Sequence, residues 1–337
     1  MSGVSVGYTY QAPTMKKMVD SAELSPLLGE NRGTAVIIDT KYTPKGVGWI
    51  YDDRDTFKNL LLSFMSELLF TAIFVFLGTG TIYSYFLGSD TAEIGITDQA
   101  GVLTISLGFG LSLTACLYAS INISGGGLNP VLAFAFWGIN NISMIRTLVY
   151  IVAQLVGGLL GSGFLYSIVP QSIIQDNSFY RYAGATVLNL NYYSIGFGVW
   201  VETVLTFFFT MIVILTVGKP ISEKRTEQDP DNKYAVPLFA CIGPGAALSV
   251  LMMIGYRLTG CSLNPARSLG PAVISNFYNS FGVYWGGPFA GAAIAILLYI
   301  LMAMLSEYYL RLKNFLARVN SVTRGISIQQ NTYAFKN

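Results

Sequence analysis

The sequence predicts an all-α membrane protein with six transmembrane helices and two short half-helices, arranged as an inverted 3+3 repeat. The first observation is composition: 53% of the 337 residues are hydrophobic and only 11% are charged, whereas soluble proteins carry about a quarter charged residues. The second is a set of six long apolar segments, and the third is a group of short motifs that recur at one fixed spacing. Together they place the chain in the membrane class and divide it into two related halves.

The six apolar segments are each long enough to cross a bilayer, which requires about 20 mainly apolar residues. The only charged side chains inside them are Glu67 and Glu202. Polar tails, 1–56 and 306–337, flank the membrane domain at 57–305. The predicted spans are 60–86, 100–121, 147–169, 193–217, 235–256 and 283–305.

Basic residues are distributed unevenly on the two sides of the predicted spans. With both termini on the same side, that side carries 17 of the 20 Lys and Arg residues. Because Lys and Arg concentrate in cytoplasmic loops, both termini are predicted to be cytoplasmic.

Three motifs of the first half reappear 135 positions later. They are Asn129-Pro130, repeated as Asn264-Pro265, Glu67-x-x-x-Thr71, repeated as Glu202-x-x-x-Thr206, and Gly108-x-Gly110, repeated as Gly243-x-Gly245. A common offset indicates two homologous halves, about 57–170 and 192–305. Each half has three spans, an odd number, so the second half is predicted to be inverted in the membrane.

Each Asn-Pro pair lies in an apolar block that is longer than its span requires. Asparagine suits the N-cap of a helix and proline its first position, while the apolar stretches that follow, 131–137 and 266–273, are too short to span. Non-helical backbone survives at membrane depth only inside protein or beside a water-filled cavity. Two short helices that enter from opposite faces therefore predict a pore.

The same composition argues against other classes of protein. The chain has no histidine, which removes the commonest general base and metal ligand, so we expect no enzyme activity, no cofactor and no metal site. The three cysteines fit no disulfide or zinc spacing. The basic residues form no single face, so no nucleic-acid partner is predicted.

The paired boxes and repeated motifs of residues 60–305 resemble those of the aquaporin, or major intrinsic protein, family, and most closely its water-selective branch. The match includes Asn264-Pro265-Ala266-Arg267-Ser268 and the first box Asn129-Pro130-Val131. The resemblance implies passive conduction of water and a homotetramer in which each protomer holds its own pore, in the plasma membrane or an intracellular vesicle membrane. Two alternatives stay open: a channel for glycerol or another small neutral solute, and a closed member that organises membranes.

The resemblance also assigns roles to particular residues. Asn129 and Asn264 are expected to donate amide hydrogen bonds to water at the pore centre. Val131 stands where alanine is usual in the first box, which adds bulk beside the pore. The selectivity filter is expected at Phe109, Met252, Cys261 and Arg267.

Two features of the filter region bear on the choice of solute. Met252 stands where histidine is common in water channels, so passage of glycerol stays open. Ser268 after the arginine, and Tyr284-Trp285 at the start of the last span, are typical of the water-selective branch.

The remaining candidates are two buried acids and one loop. Glu67 and Glu202 could relay protons or accept hydrogen bonds from the re-entrant backbone, and their duplicated placement favours the structural role. The charged loop at 218–233 could gate the cytoplasmic mouth, with Ser222 and Thr226 as phosphorylation sites, or could be a solvated linker.

Overall fold

The structure is a computed structural model that describes residues 55–87, 99–169, 184–217 and 235–334, with side chains described except at 235–239 and 318–334. Within these ranges the chain is helical, and no strand occurs. The eight described helices are α1 (Phe57–Leu87), α2 (Gln99–Ser120), α3 (Pro130–Gly138), α4 (Met144–Ile168), α5 (Ile195–Val217), α6 (Ala235–Thr259), α7 (Pro265–Ser275) and α8 (Val283–Ala334).

Six of these helices, all except α3 and α7, are long and apolar enough to cross a bilayer. This confirms the six predicted spans, and most boundaries agree within a few residues. The exception is α8, which continues from the predicted end of the span at 305 to Ala334. The sequence contains neither glycine nor proline between Gly291 and Gly325, so no helix-breaking residue interrupts the helix there.

The long helices pack in matching pairs within each half: α1 packs on α4 in the first half, and α5 packs on α8 in the second. The remaining pair, α2 and α6, packs across the two halves. Each short helix contacts the last long helix of the opposite half: α3 packs on α8, and α7 packs on α4. Both short helices are thereby enclosed by the bundle.

Glycines allow α2 and α6 to approach closely. A Cβ atom added at Gly110 would collide with the carbonyl oxygen of Gly245 and the hydroxyl of Ser249, and one added at Gly245 would collide with Gly110 and Thr114. Gly110 and Gly245 of the repeated motif therefore mark a backbone contact at which no larger residue fits.

Candidate pore site

The two Asn-Pro boxes begin α3 and α7, as their sequences predict. Oδ1 of Asn129 accepts a hydrogen bond from the backbone N–H of Val131 at 2.9 Å. Oδ1 of Asn264 accepts from the backbone N–H of Ala266 at 2.9 Å and of Arg267 at 3.3 Å. Each asparagine is an N-cap, and Pro130 and Pro265 occupy the first helical positions.

The tertiary structure brings the two boxes into direct contact. Nδ2 of Asn129 donates to the carbonyl oxygen of Leu263 at 2.9 Å, and Nδ2 of Asn264 donates to that of Leu128, also at 2.9 Å. Each amide nitrogen carries a second proton that these two bonds do not use. The N-termini of α3 and α7 consequently meet where both amides lie side by side.

The loops before the two boxes share an unusual backbone conformation. Leu128 has φ of 49° and Leu263 has φ of 53°, both in the left-handed region that glycine favours. Gly125 and Gly260, also 135 residues apart, have φ of 91° and 77°. Left-handed conformation costs a non-glycine residue about 1–2 kcal/mol, so other contacts must stabilise each loop.

Glu67 provides those contacts for the first loop. Its carboxylate accepts from the backbone N–H groups of Gly127 at 3.0 Å and Leu128 at 2.7 Å. Nε2 of Gln154 donates to the same carboxylate at 2.7 Å. The side chain is completely buried, so the loop donors have this acceptor in place of water.

Glu202 holds the second loop in the same manner. It accepts from the backbone N–H groups of Ser262 at 2.9 Å and Leu263 at 3.0 Å, and from the hydroxyl of Thr259 at 2.7 Å. The geometry agrees with the structural interpretation of both acids, because their oxygens face backbone donors.

Arg267 lies at the start of α7 and is almost completely buried. Its Nη1 donates to the carbonyl oxygen of Gly184 at 2.8 Å, and its guanidinium lies 4.9 Å from the ring centre of Phe109. Nε and Nη2 have no hydrogen-bond partner among the described residues. Two buried donors of a charged group therefore lack a partner within the described part of the chain.

A narrow cavity of about 10 Å³ adjoins this guanidinium. That volume is close to the least that holds one water molecule. Three predicted filter residues and both box asparagines line it, together with apolar side chains of α1, α2, α3, α5 and α6. The lining includes Phe109, Met252, Arg267, Asn129, Asn264, Phe74, Leu113, Leu132, Phe209, Leu248, Ser262 and Leu263.

Five of the predicted pore residues do not line this cavity: Pro130, Val131, Pro265, Ala266 and Cys261. The thiol of Cys261 is buried and donates to the carbonyl oxygen of Leu251 at 3.4 Å, so it turns toward α6. Val131 is fully buried in the first turn of α3, where its bulk is accommodated. The candidate regulatory residues Ser222 and Thr226, with the loop 218–233, lie outside the described residues.

Sequence reasoning missed several residues that support the site. Gln154 and Thr259 share the two buried carboxylates, Gly184 holds Arg267, and Phe74 packs edge-on against Phe109. A polar glutamine inside the charge-free third predicted span, 147–169, was the available signal, because an uncharged amide in an apolar span requires a partner.

Comparison with known proteins decides the family. A family model described as "Major intrinsic protein" matches residues 56–299. The chain belongs to the major intrinsic protein family. Its members are membrane channels rather than enzymes, so the chain is an integral multi-pass membrane protein of the aquaporin type.

Individual relatives agree with this assignment. Aquaporin PIP2-1 of Arabidopsis thaliana is 32% identical over 235 residues, which cover 68% of this chain and 77% of the relative. Aquaporin-5 of Sus scrofa is 32% identical over 274 residues, which cover 81% and 88%. Among solved structures, an aquaglyceroporin from Plasmodium falciparum superposes with a TM-score of 0.58 at 23% identity, covering 71% of this chain and 95% of that one. At that identity the likeness concerns the fold alone.

Proposed function

We propose that this aquaporin-family protein conducts water passively and excludes glycerol. The observation that carries the proposal is the cavity of about 10 Å³ beside Arg267, whose Nε and Nη2 have no hydrogen-bond partner among the residues that the structure describes. A water molecule fits that volume and can accept from the guanidinium. Glycerol is several times larger and would require the filter to widen.

The pore would act by exchanging hydrogen bonds along its length. Arg267 offers donors at the filter, and Asn129 and Asn264 offer one amide proton each at the centre. Leu113, Leu132 and other apolar side chains form the rest of the wall. Because hydrogen-bonding groups are few and separated along the wall, each water would be held only weakly at any one site. Weak and separated sites favour conduction.

Exclusion of cations and protons would follow from charge. The positive ends of α3 and α7 meet at the two asparagines, and Arg267 adds a full positive charge. A cation at the centre would face these charges without an acidic ligand, because Glu67 and Glu202 are occupied by loop donors.

Proteoliposome swelling tests this proposal. Vesicles that contain the protein should shrink in sucrose much faster than empty vesicles, and should re-swell slowly in glycerol. Arg267→Val should raise glycerol permeability, whereas Arg311→Val, at an exposed arginine of α8, should not. Re-swelling as fast as the shrinkage would favour the solute-channel alternative. Flux no higher than in empty vesicles would favour the closed, membrane-organising alternative.

We also propose a homotetramer with both termini cytoplasmic, in the plasma membrane or a vesicle membrane. Family membership supports the tetramer, and the concentration of Lys and Arg on one side supports the orientation. Light scattering of the detergent-solubilised protein should give four times the 36.7 kDa chain mass after correction for detergent. Epitope tags at each terminus should be accessible only after permeabilisation.

A last proposal concerns the loop 218–233, which is dense in charge and contains Ser222 and Thr226. A phosphate there would pair with nearby Lys224 or Arg225 and shift a closed-to-open balance. Ser222→Asp should change water flux at equal membrane abundance without changing selectivity. A variant with both Ser222→Ala and Thr226→Ala should not respond to kinase treatment. Equal flux in all forms would make the loop a passive linker.

A further inference from the structure

The backbone between Gly184 and Leu188 holds the filter arginine, although it belongs to neither Asn-Pro box. The carbonyl oxygen of Gly184 accepts from Nη1 of Arg267 at 2.8 Å. This is the only hydrogen bond of the guanidinium among the described residues. The position of that carbonyl therefore determines where the charge of the filter lies.

A line of three hydroxyl groups connects this segment to the second box. Oγ1 of Thr186 donates to Oγ of Ser268 at 3.1 Å, and the Oγ atoms of Ser268 and Ser262 are 2.6 Å apart. Ser262 donates its own proton to the carbonyl oxygen of Asn264 at 3.2 Å. Either hydroxyl of the Ser262–Ser268 pair can be the donor, so the three groups form a continuous hydrogen-bonded line from Thr186 to the second box.

The three hydroxyl groups are closely packed and shielded from water. Thr186, Ser262 and Ser268 are all buried, so water does not replace a lost partner. A Cβ atom at Gly260 would lie 3.0 Å from Cα of Thr186, which shows how closely the two backbones pack. Leu188 is fully buried in a small apolar cluster and fixes the other end of the segment.

We propose that Thr186, Ser268 and Ser262 are positioning residues that set the selectivity of the filter. Through their hydrogen bonds they fix the carbonyl of Gly184 relative to α7, and through it the guanidinium of Arg267. A guanidinium held over Phe109 leaves space for one water molecule, whereas a released one moves and admits larger neutral solutes. This inference rests on the proposed water channel and identifies what keeps it narrow.

Removal of one hydroxyl tests the inference. Thr186→Val keeps the shape of the side chain and deletes the first donor of the line. The ratio of glycerol to water permeability in proteoliposomes should rise at least about fivefold, the population change that corresponds to one lost hydrogen bond. Thr186→Ser retains the hydroxyl and should retain the wild-type ratio.

The matched control is Thr147→Val, because Thr147 is also buried and donates to the carbonyl oxygen of Ser143 at 2.8 Å, within α4. The ratio of glycerol to water permeability in Thr147→Val should equal that of the wild type. If Thr186→Val does not fold, Ser268→Ala interrupts the same line and should raise the ratio to the same extent.

Three outcomes overturn the inference in distinguishable ways. If the wild type conducts water and Thr186→Val, or Ser268→Ala in its place, leaves the ratio unchanged, the positioning role fails and the water channel stands. If Thr147→Val raises the ratio equally, the effect is general loosening. If the wild type conducts no water, the proposed function fails together with the inference.

Discussion

Glu67 offers the most direct test of how the pore loops are stabilised. Its buried carboxylate accepts from the backbone of Gly127 and Leu128 and from the side chain of Gln154, at 2.7 to 3.0 Å. Glu67→Ala would leave these three donors without that acceptor. A buried unsatisfied donor costs about 1–3 kcal/mol, so the predicted loss is about 3–9 kcal/mol. Losses of that size are comparable to the entire stability of many proteins.

The loss of stability in Glu67→Ala should arise mainly in the loop before Asn129, and the altered loop should then lower water conduction. Leu128 keeps its left-handed backbone, and its carbonyl meets Nδ2 of Asn264. Without the carboxylate, the loop should relax toward ordinary dihedral angles and withdraw that carbonyl. We therefore expect Glu67→Ala to lower the melting temperature and also to lower water flux per channel. Glu67→Gln keeps one acceptor oxygen and should fall between the alanine variant and the wild type.

Thermal unfolding in detergent and stopped-flow water permeability are the two measurements. Glu307→Ala is the matched control, because Glu307 is exposed on α8 and forms an ion pair with Arg311 one helical turn away, an arrangement worth about 0–1 kcal/mol. If Glu67→Ala unfolds at the same temperature as this control and conducts normally, the structural role is refuted. A proton current that disappears in Glu67→Gln would instead indicate the proton-relay alternative.

Three further predictions concern the packing of α2 on α6, the reactivity of Cys261 and the pH dependence of water flux. Gly110→Ala should destabilise the protein severely, because its Cβ would collide with the backbone of α6. The control Gly286→Ala would place its Cβ where no neighbour lies within 4 Å, so it should be neutral or stabilising by about 0.5–1 kcal/mol. Similar melting temperatures for both variants would contradict the predicted contact. Mercurials should react with Cys261 slowly and thereby block water flux, since its thiol is buried and faces α6. If the block persists in Cys261→Ser, the mercurial reacts with another cysteine. Water permeability should stay nearly constant from about pH 5 to 8 because the chain has no histidine, and a steep transition near neutral pH would require another group to titrate.

Much of the fold could be predicted because the bilayer acts on local sequence. A helix that crosses the membrane needs a continuous apolar stretch, so the six spans are readable from residue type alone. The starts of α3 and α7 are equally local, since Asn129 and Asn264 cap the helices that Pro130 and Pro265 begin. The end of α8 was not predicted, because polarity indicates where a span leaves the bilayer and does not end a helix.

The sequence by itself determined the membrane class and the six spans, and it predicted the duplicated halves, the two half-helices and the arginine and asparagines of the candidate site. Only the tertiary structure decided what those residues touch: Asn129 meets Leu263, Arg267 meets Gly184, and Thr186 meets Ser268. It also turned the thiol of Cys261 toward α6, although the residue lies three positions before Asn264. Spacing along a chain predicts neighbours within one helix or loop. Partners that lie 80 or more residues apart leave no periodic trace, because their contact depends on how whole helices pack and on which donors that packing removes from water.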